Sequence, residues 1–127
     1  MSPLPIITKL DNVAAFRKCL EENPGYFIMK LGAEWCGPCK KIEAFVASCM
    51  SQSPDNVQCA VIDIDHAFEL YGFLKTKRMV NGVPAILAYQ KGNLNYVPDD
   101  FVVGSDTNQI AALFARCYQE ANSMKQT

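Results

Sequence analysis

Two short apolar runs, Tyr26 to Leu31 and Val57 to Ile64, are each followed by a stretch whose apolar residues recur at helical spacing. A strand buried on both faces reads as a near-continuous apolar run, so this alternation calls for a sheet with helices on both sides. The rest of the chain fits the same plan. Ile6-Ile7-Thr8-Lys9 opens a short strand, and Asp11 reads as the N-cap of a helix carrying Val13, Phe16 and Leu20 on one face. Asn23-Pro24-Gly25 stops that helix, because a residue before proline avoids the helical region. Ile42, Phe45, Val46 and Cys49 mark the stripe of a second helix, and a third covers Asp65 to Lys77.

Asn81-Gly82-Val83-Pro84 turns into a strand from Ala85 to Tyr89. Lys91-Gly92-Asn93 has hairpin chemistry and leads to a strand ending near Val103. A last helix starts near Ser105 or Asp106, with Ile110, Leu113, Phe114, Cys117 and Ala121 on one face. The predicted order is β-α-β-α-β-α-β-β-α, an α/β fold with a mixed sheet. A chain of 127 residues without repeats or linkers reads as one domain over 1–127.

Charge excludes some partners. Twelve Lys and Arg against thirteen Asp and Glu leave a net charge of −1, which argues against nucleic acid and anionic membranes. The longest apolar run, Ile110 to Ala115, falls far short of the ~18 residues of a membrane span. The start Met-Ser-Pro-Leu-Pro lacks the basic and apolar regions of a secretory leader, and the end Met-Lys-Gln-Thr carries no retention or lipidation signal. Six cysteines in 127 residues lie below the ~8–10% of a disulfide scaffold. The expectation is a reducing compartment, the cytoplasm, where thiols are free, catalytic or metal-binding.

Glu34-Trp35-Cys36-Gly37-Pro38-Cys39-Lys40 joins a predicted buried strand to a helix start. There the free N–H groups and the positive helix end favour a thiolate, drawing the first cysteine's pKa from ~8.5 towards ~3.5–7.5. Two intervening residues keep the second sulfur within reach. Pro38 suits a first turn, and Gly37 leaves Cys36 unobstructed. Half of a zinc site is the competing reading of such a pair, but a structural zinc needs four ligands, and one CxxC with a single histidine, His66, supplies too few. A binding module that carries the dithiol without using it is the other alternative.

The sequence resembles the thioredoxin family on more than the CxxC. Trp35 and Lys40 flank the pair, Ile62-Asp63-Ile64-Asp65 ends the next strand, Gly82-Val83-Pro84 precedes the fourth, Lys91-Gly92 marks a hairpin and Gly104 precedes the last helix. The resemblance implies a thioredoxin fold, a central mixed sheet flanked by helices on both faces, with Pro84 a cis-proline facing the dithiol. It also implies a protein-disulfide oxidoreductase with a redox-active Cys36–Cys39 disulfide. Cys36, the more exposed sulfur, would attack a disulfide in a client protein, and Cys39 would resolve the mixed disulfide. Trp35, Gly37, Pro38, Ile64, Val83, Pro84, Val103 and Gly104 would form the contact face, with Val83 offering backbone hydrogen bonds. No bound cofactor or metal is implied; electrons would come from a thioredoxin reductase flavoenzyme, and the chain would act as a monomer.

Three positions depart from the family's pattern. Six residues before Cys36, where thioredoxins bury an aspartate, stands Lys30, and the usual lysine partner falls on Val61. A unit charge ~6 Å from a sulfur at an effective dielectric of ~20 is worth ~3 kcal/mol, or ~2 pK units. An ammonium there would favour thiolates and make the pair less reducing, unless Lys30 snorkels away or pairs with a carboxylate such as Asp63. Ala44 replaces a helix-kinking proline, which predicts a straighter helix. Extra residues before Pro84 and before Gly104 are expected to flank the contact face. Cys49, Cys59 and Cys117 read as core, and Cys19, at the edge of its helix face, is the best candidate among the six for an exposed, oxidisable thiol. Lys75, Lys77 and Arg78 suit a helix C-terminus, and His66 reads as a surface residue.

Overall fold

The computed structural model describes residues 3–125, so Met1, Ser2, Gln126 and Thr127, parts of the termini read above for leader and tail signals, lie outside the described residues. Strand β1 (Tyr26–Gly32) occupies the centre, and every one of its residues is buried. It pairs parallel with β2 (Val57–Asp63) and antiparallel with β3 (Ala85–Gln90), which pairs antiparallel with β4 (Asp100–Val103). The sheet order is β2-β1-β3-β4.

Alternation along β1 sends Phe27, Met29 and Leu31 to one face and Tyr26 and Ile28 to the other. The first face is covered by α1 (Val13–Glu21) through Phe16 and Leu20 and by α4 (Phe68–Thr76) through Leu70 and Leu74. The second is covered by α3 (Glu43–Ser51) through Val46 and Met50 and by α5 (Thr107–Met124). Each such side chain withdrawn from water contributes roughly 1.5–3 kcal/mol, so both layers are needed to hold the strand. The five residues expected on the face of the last helix, Ile110, Leu113, Phe114, Cys117 and Ala121, are all buried, and Asp106 caps its start by accepting from the Asn108 N–H at 2.9 Å.

Several expectations are corrected. The first strand shrinks to one bridge, Ile7 to Ala60, held by two backbone hydrogen bonds at the β2 edge. The cap of α1 is Asn12, whose Oδ1 accepts from the Ala15 N–H at 2.8 Å, while Asp11 pairs with Lys9 on the surface. Either residue type can cap, so only the backbone path decides between neighbours. The third helical stretch splits into a 3-10 turn (Ile64–His66) and α4.

The active-site helix is broken despite Ala44: a short α2 (Gly37–Lys41) ends at Ile42, which has φ −103° and ψ 2°, and α3 starts at Glu43. Ile42 is buried in the second layer while Cys39 packs with the first, so the break lets one segment serve two layers. Its restart also shifts the stripe to Ile42, Val46 and Met50, leaving Phe45 exposed.

Candidate active site

Cys36 and Cys39 follow the C-terminal end of β1 and are joined in a disulfide. Cys36 has extended backbone and caps α2, with the Cys39 N–H donating to its Sγ at 3.1 Å. An N–H aimed at sulfur from a helix start favours the thiolate once the bond is reduced. Cys36 Sγ also lies 3.7 Å from the Val83 carbonyl oxygen. A disulfide sulfur carries no proton, so that contact becomes a hydrogen bond only in the protonated dithiol.

The two residues do not differ in overall exposure: Cys36 is 5% exposed and Cys39 4%. The reading of Cys36 as the more open thiol therefore finds no support in exposure. Their surroundings differ instead. Cys36 lies between Trp35 and the Val83–Pro84 peptide, which is cis, as the resemblance implies. Cys39 lines a cavity of about 240 Å³ behind the pair.

Around Cys36, Trp35 is 68% exposed, with its indole N–H donating to Asp65 Oδ2 at 2.9 Å. Gly37, Pro38 and Val103 are exposed, and Val83 and Gly104 half-buried. Ile64 and Pro84 are buried, so they back this surface rather than offering side chains to it. Gly104 has φ +103° while its N–H bonds the Pro84 carbonyl at 2.9 Å; a side chain there would strain the backbone beside the cis bond.

Behind Cys39, Lys30 is 94% removed from solvent, being only 6% exposed, on the β1 positions that face α3. A Cβ added to Gly32 would stand 3.6 Å from Cys39 Sγ and 3.7 Å from Lys30 Cε, so thiol and lysine flank the same glycine. Burial lowers the Lys30 pKa from its ordinary value, and the Glu43 carboxylate partly restores it. The expected alternative partner, Asp63, instead caps the following turn by accepting from the Asp65 N–H at 2.9 Å. Sequence reasoning missed Glu43, which starts α3 directly after the helix break at Ile42 and lines the cavity. Lys40, exposed beside the pair, also lines it.

The other cysteines are unpaired. Burial pushes the Cys59 and Cys117 thiols up to about 12, which keeps them inert. Cys49 and Cys19 are half-buried with raised pKa values, so Cys19 is not the exposed thiol expected from its place on the helix. No cluster of metal-ligating side chains occurs among the described residues. Among them, too, no helix is long and apolar enough to cross a membrane.

The segments of extra length separate. The one before Pro84 starts beside Trp35 and Asp65, near the dithiol. The one before Gly104 leaves β3 at Gln90, which pairs with Tyr26 at the opposite end of the sheet, so most of it lies away from the contact face.

The family model described as Thioredoxin matches residues 7–116. The chain is 31% identical over 87 residues to Putative thioredoxin-4 of Dictyostelium discoideum, spanning 68% of this chain and 79% of that protein. It is 29% identical over 89 residues to the mitochondrial thioredoxin of Mus musculus, spanning 70% of this chain and 49% of that protein. The match thus covers about half the length of several curated relatives. Among solved structures, Trichomonas vaginalis thioredoxin superposes with a TM-score of 0.71 at 24% identity, over 88% of this chain and 96% of that one, a likeness of fold. A disulfide-bonded cysteine pair at the end of the central strand, a cis-proline beside it and a family match over most of the chain lead to one conclusion: this protein belongs to the thioredoxin family.

Proposed function

We propose that the protein reduces disulfides in client proteins, with Cys36 as attacking nucleophile and Cys39 as resolving thiol. The observation that carries this reading is the Cys39 N–H at 3.1 Å from Cys36 Sγ, which singles out one sulfur for stabilisation as a thiolate. The Cys36 thiolate attacks a client disulfide, forming a mixed disulfide and releasing one client thiolate. Cys39, as thiolate, then attacks Cys36 Sγ and releases the second client sulfur. Trp35, Gly37, Pro38, Val83, Val103 and Gly104 receive the client, with Ile64 and Pro84 supporting them from beneath. Trp35 is held for this by Asp65.

No bound cofactor enters the cycle, and a thioredoxin reductase returns the disulfide to the dithiol. We further read the chain as one monomeric domain working in the cytoplasm, since the remaining four cysteines are unpaired. Cell fractionation tests the compartment, with the organelle named for the mouse relative as the opposing outcome.

Lys30 and Lys40 add positive charge near the pair, and Lys30 makes it less reducing than a dithiol backed by an acid. The main test is dithiol-driven reduction of a model protein disulfide. Cys36→Ser abolishes it, and unchanged turnover in that variant removes Cys36 from the nucleophile role. For the tuning, the Lys30→Asp protein has a more reducing potential; an equal or less reducing one overturns that assignment.

A further inference from the structure

The cavity behind the disulfide holds a group that the exchange reaction by itself does not account for. Lys30 is buried, yet it forms no ion pair within 4.0 Å among the described residues. An unpaired buried ammonium is costly, and such a cost persists where the charge has a use. The charged side chains that line the cavity with it are Glu34 and Lys40 from the active-site segment, Glu43 at the start of α3 and Asp63 at the end of β2. Of these, Glu43 is the one whose charge acts on Lys30, and it opposes the effect of burial. Asp63 is engaged in its turn.

Taking Cys39 as the resolving thiol, as read above, we propose that Lys30 and Glu43 form a charge pair across this cavity: the Lys30 ammonium holds Cys39 as its thiolate, and Glu43 keeps Lys30 protonated. Lys30 is a positioning residue for charge, and Glu43 acts through it. In the mixed disulfide, the Cys39 thiol gives its proton to water entering the cavity, and the thiolate forms beside the ammonium. That thiolate bonds to Cys36 Sγ as the Cys36–client bond breaks. The electron pair leaves on the client sulfur, which takes a proton from solvent. The site then holds a neutral disulfide beside an ammonium, and Glu43 is the remaining anion that stabilises it.

Coupling between two titrating groups is reciprocal: whatever Lys30 does for the Cys39 thiolate, the thiolate does for the Lys30 ammonium. NMR titration of the Lys30 ε-carbon in the full chain, assigned with Lys30→Met, reads this directly. The Lys30 pKa is higher in the reduced protein than in the disulfide form, and Glu43→Gln lowers it in both. Site-resolved alkylation of reduced protein supplies the other half, with Lys30→Met moving the Cys39 midpoint up by about one pH unit, a tenfold loss of thiolate at fixed pH. A Lys30 titration indifferent to the redox state, or to Glu43→Gln, overturns the proposal. Glu43 is exposed, so its variant keeps the fold and decides the matter if Lys30→Met does not fold. Failure here leaves Cys36-dependent reduction standing, whereas loss of Cys36 dependence removes the exchange reading itself.

Discussion

The two ends of the central sheet treat their polar groups differently. At the end remote from the disulfide, the connection between β3 and β4 closes on itself. Asp99 Oδ2 accepts from the Gln90 N–H at 2.7 Å and from Asn93 Nδ2 at 3.0 Å, and Asn93 Nδ2 also donates to the Val97 carbonyl. Tyr89, with no exposed surface, donates its hydroxyl to the Tyr96 carbonyl at 2.8 Å, and its ring packs against Phe16 and Phe27. Lys77 lies over the rings of both Phe73 and Tyr96. At the disulfide end, by contrast, Lys30 is buried with no ion-pair partner within 4.0 Å among the described residues. The remote end is closely hydrogen-bonded and serves stability, with Asn56 Oδ1 the buried side-chain oxygen there that has no hydrogen-bond partner among the described residues. The other carries the cost of a buried charge, the pattern of a functional site in a stable frame.

The comparison breaks first at Tyr89. Tyr89→Ala removes a buried aromatic ring and its hydrogen bond, and costs about 3–5 kcal/mol in urea denaturation. If the remote end were not the stabilising one, the loss would stay below that of an ordinary surface substitution.

Lys30→Met sharpens the other side. It removes a buried ammonium that has no contact ion pair among the described residues, raises stability near neutral pH by on the order of 1 kcal/mol, and makes the dithiol more reducing by on the order of 30 mV. The pH dependence carries the sign. Because the folded pKa of Lys30 is lowered, the unfolded chain binds more protons in the window below 10.5, so its contribution to stability rises with pH there. Cys59 and Cys117, raised from 9.0 to about 12, push the opposite way above 9.0, so the difference between wild type and Lys30→Met isolates the lysine. A flat difference between pH 7 and 10.5 in paired urea titrations removes the buried-ammonium description.

The smallest effect lies at the C-terminus of α4. Arg78 has φ +62°, with its N–H bonded to the Lys75 carbonyl and the Met79 N–H bonded to the Leu74 carbonyl. That is a Schellman motif with arginine where glycine is preferred. Arg78→Gly stabilises by about 0.5–1 kcal/mol in thermal unfolding, without changing disulfide reduction. A destabilised variant would show that the side chain, not the backbone, decides this turn.

Much of the fold was legible in the chain because buried strands and one-sided helices write their burial into residue order. The stripe of α5 and the extent of β1 and β3 came through nearly unchanged. The misses share a cause. Asp11 and Asn12 have the same capping chemistry, and the Ile6–Lys9 segment has strand composition at a sheet edge where only Ile7 finds a partner. Phe45 belongs to the stripe of an unbroken helix, and the helix breaks at Ile42. Cys19 lies at the edge of its helix face, and residue order does not encode the core cluster that packs against it.

The sequence by itself determined that a dithiol stands where a buried strand meets a helix start, because that chemistry depends only on neighbours along the chain. It also determined that a lysine stands in the strand behind it. Only the tertiary structure decided what that lysine meets. The answer depends on how β1, β2 and the interrupted helix converge at one end of the sheet, bringing Glu43 and Cys39 to the same cavity across 13 residues of chain from Lys30. Charge coupling follows distance and burial in three dimensions, and neither is encoded in local spacing.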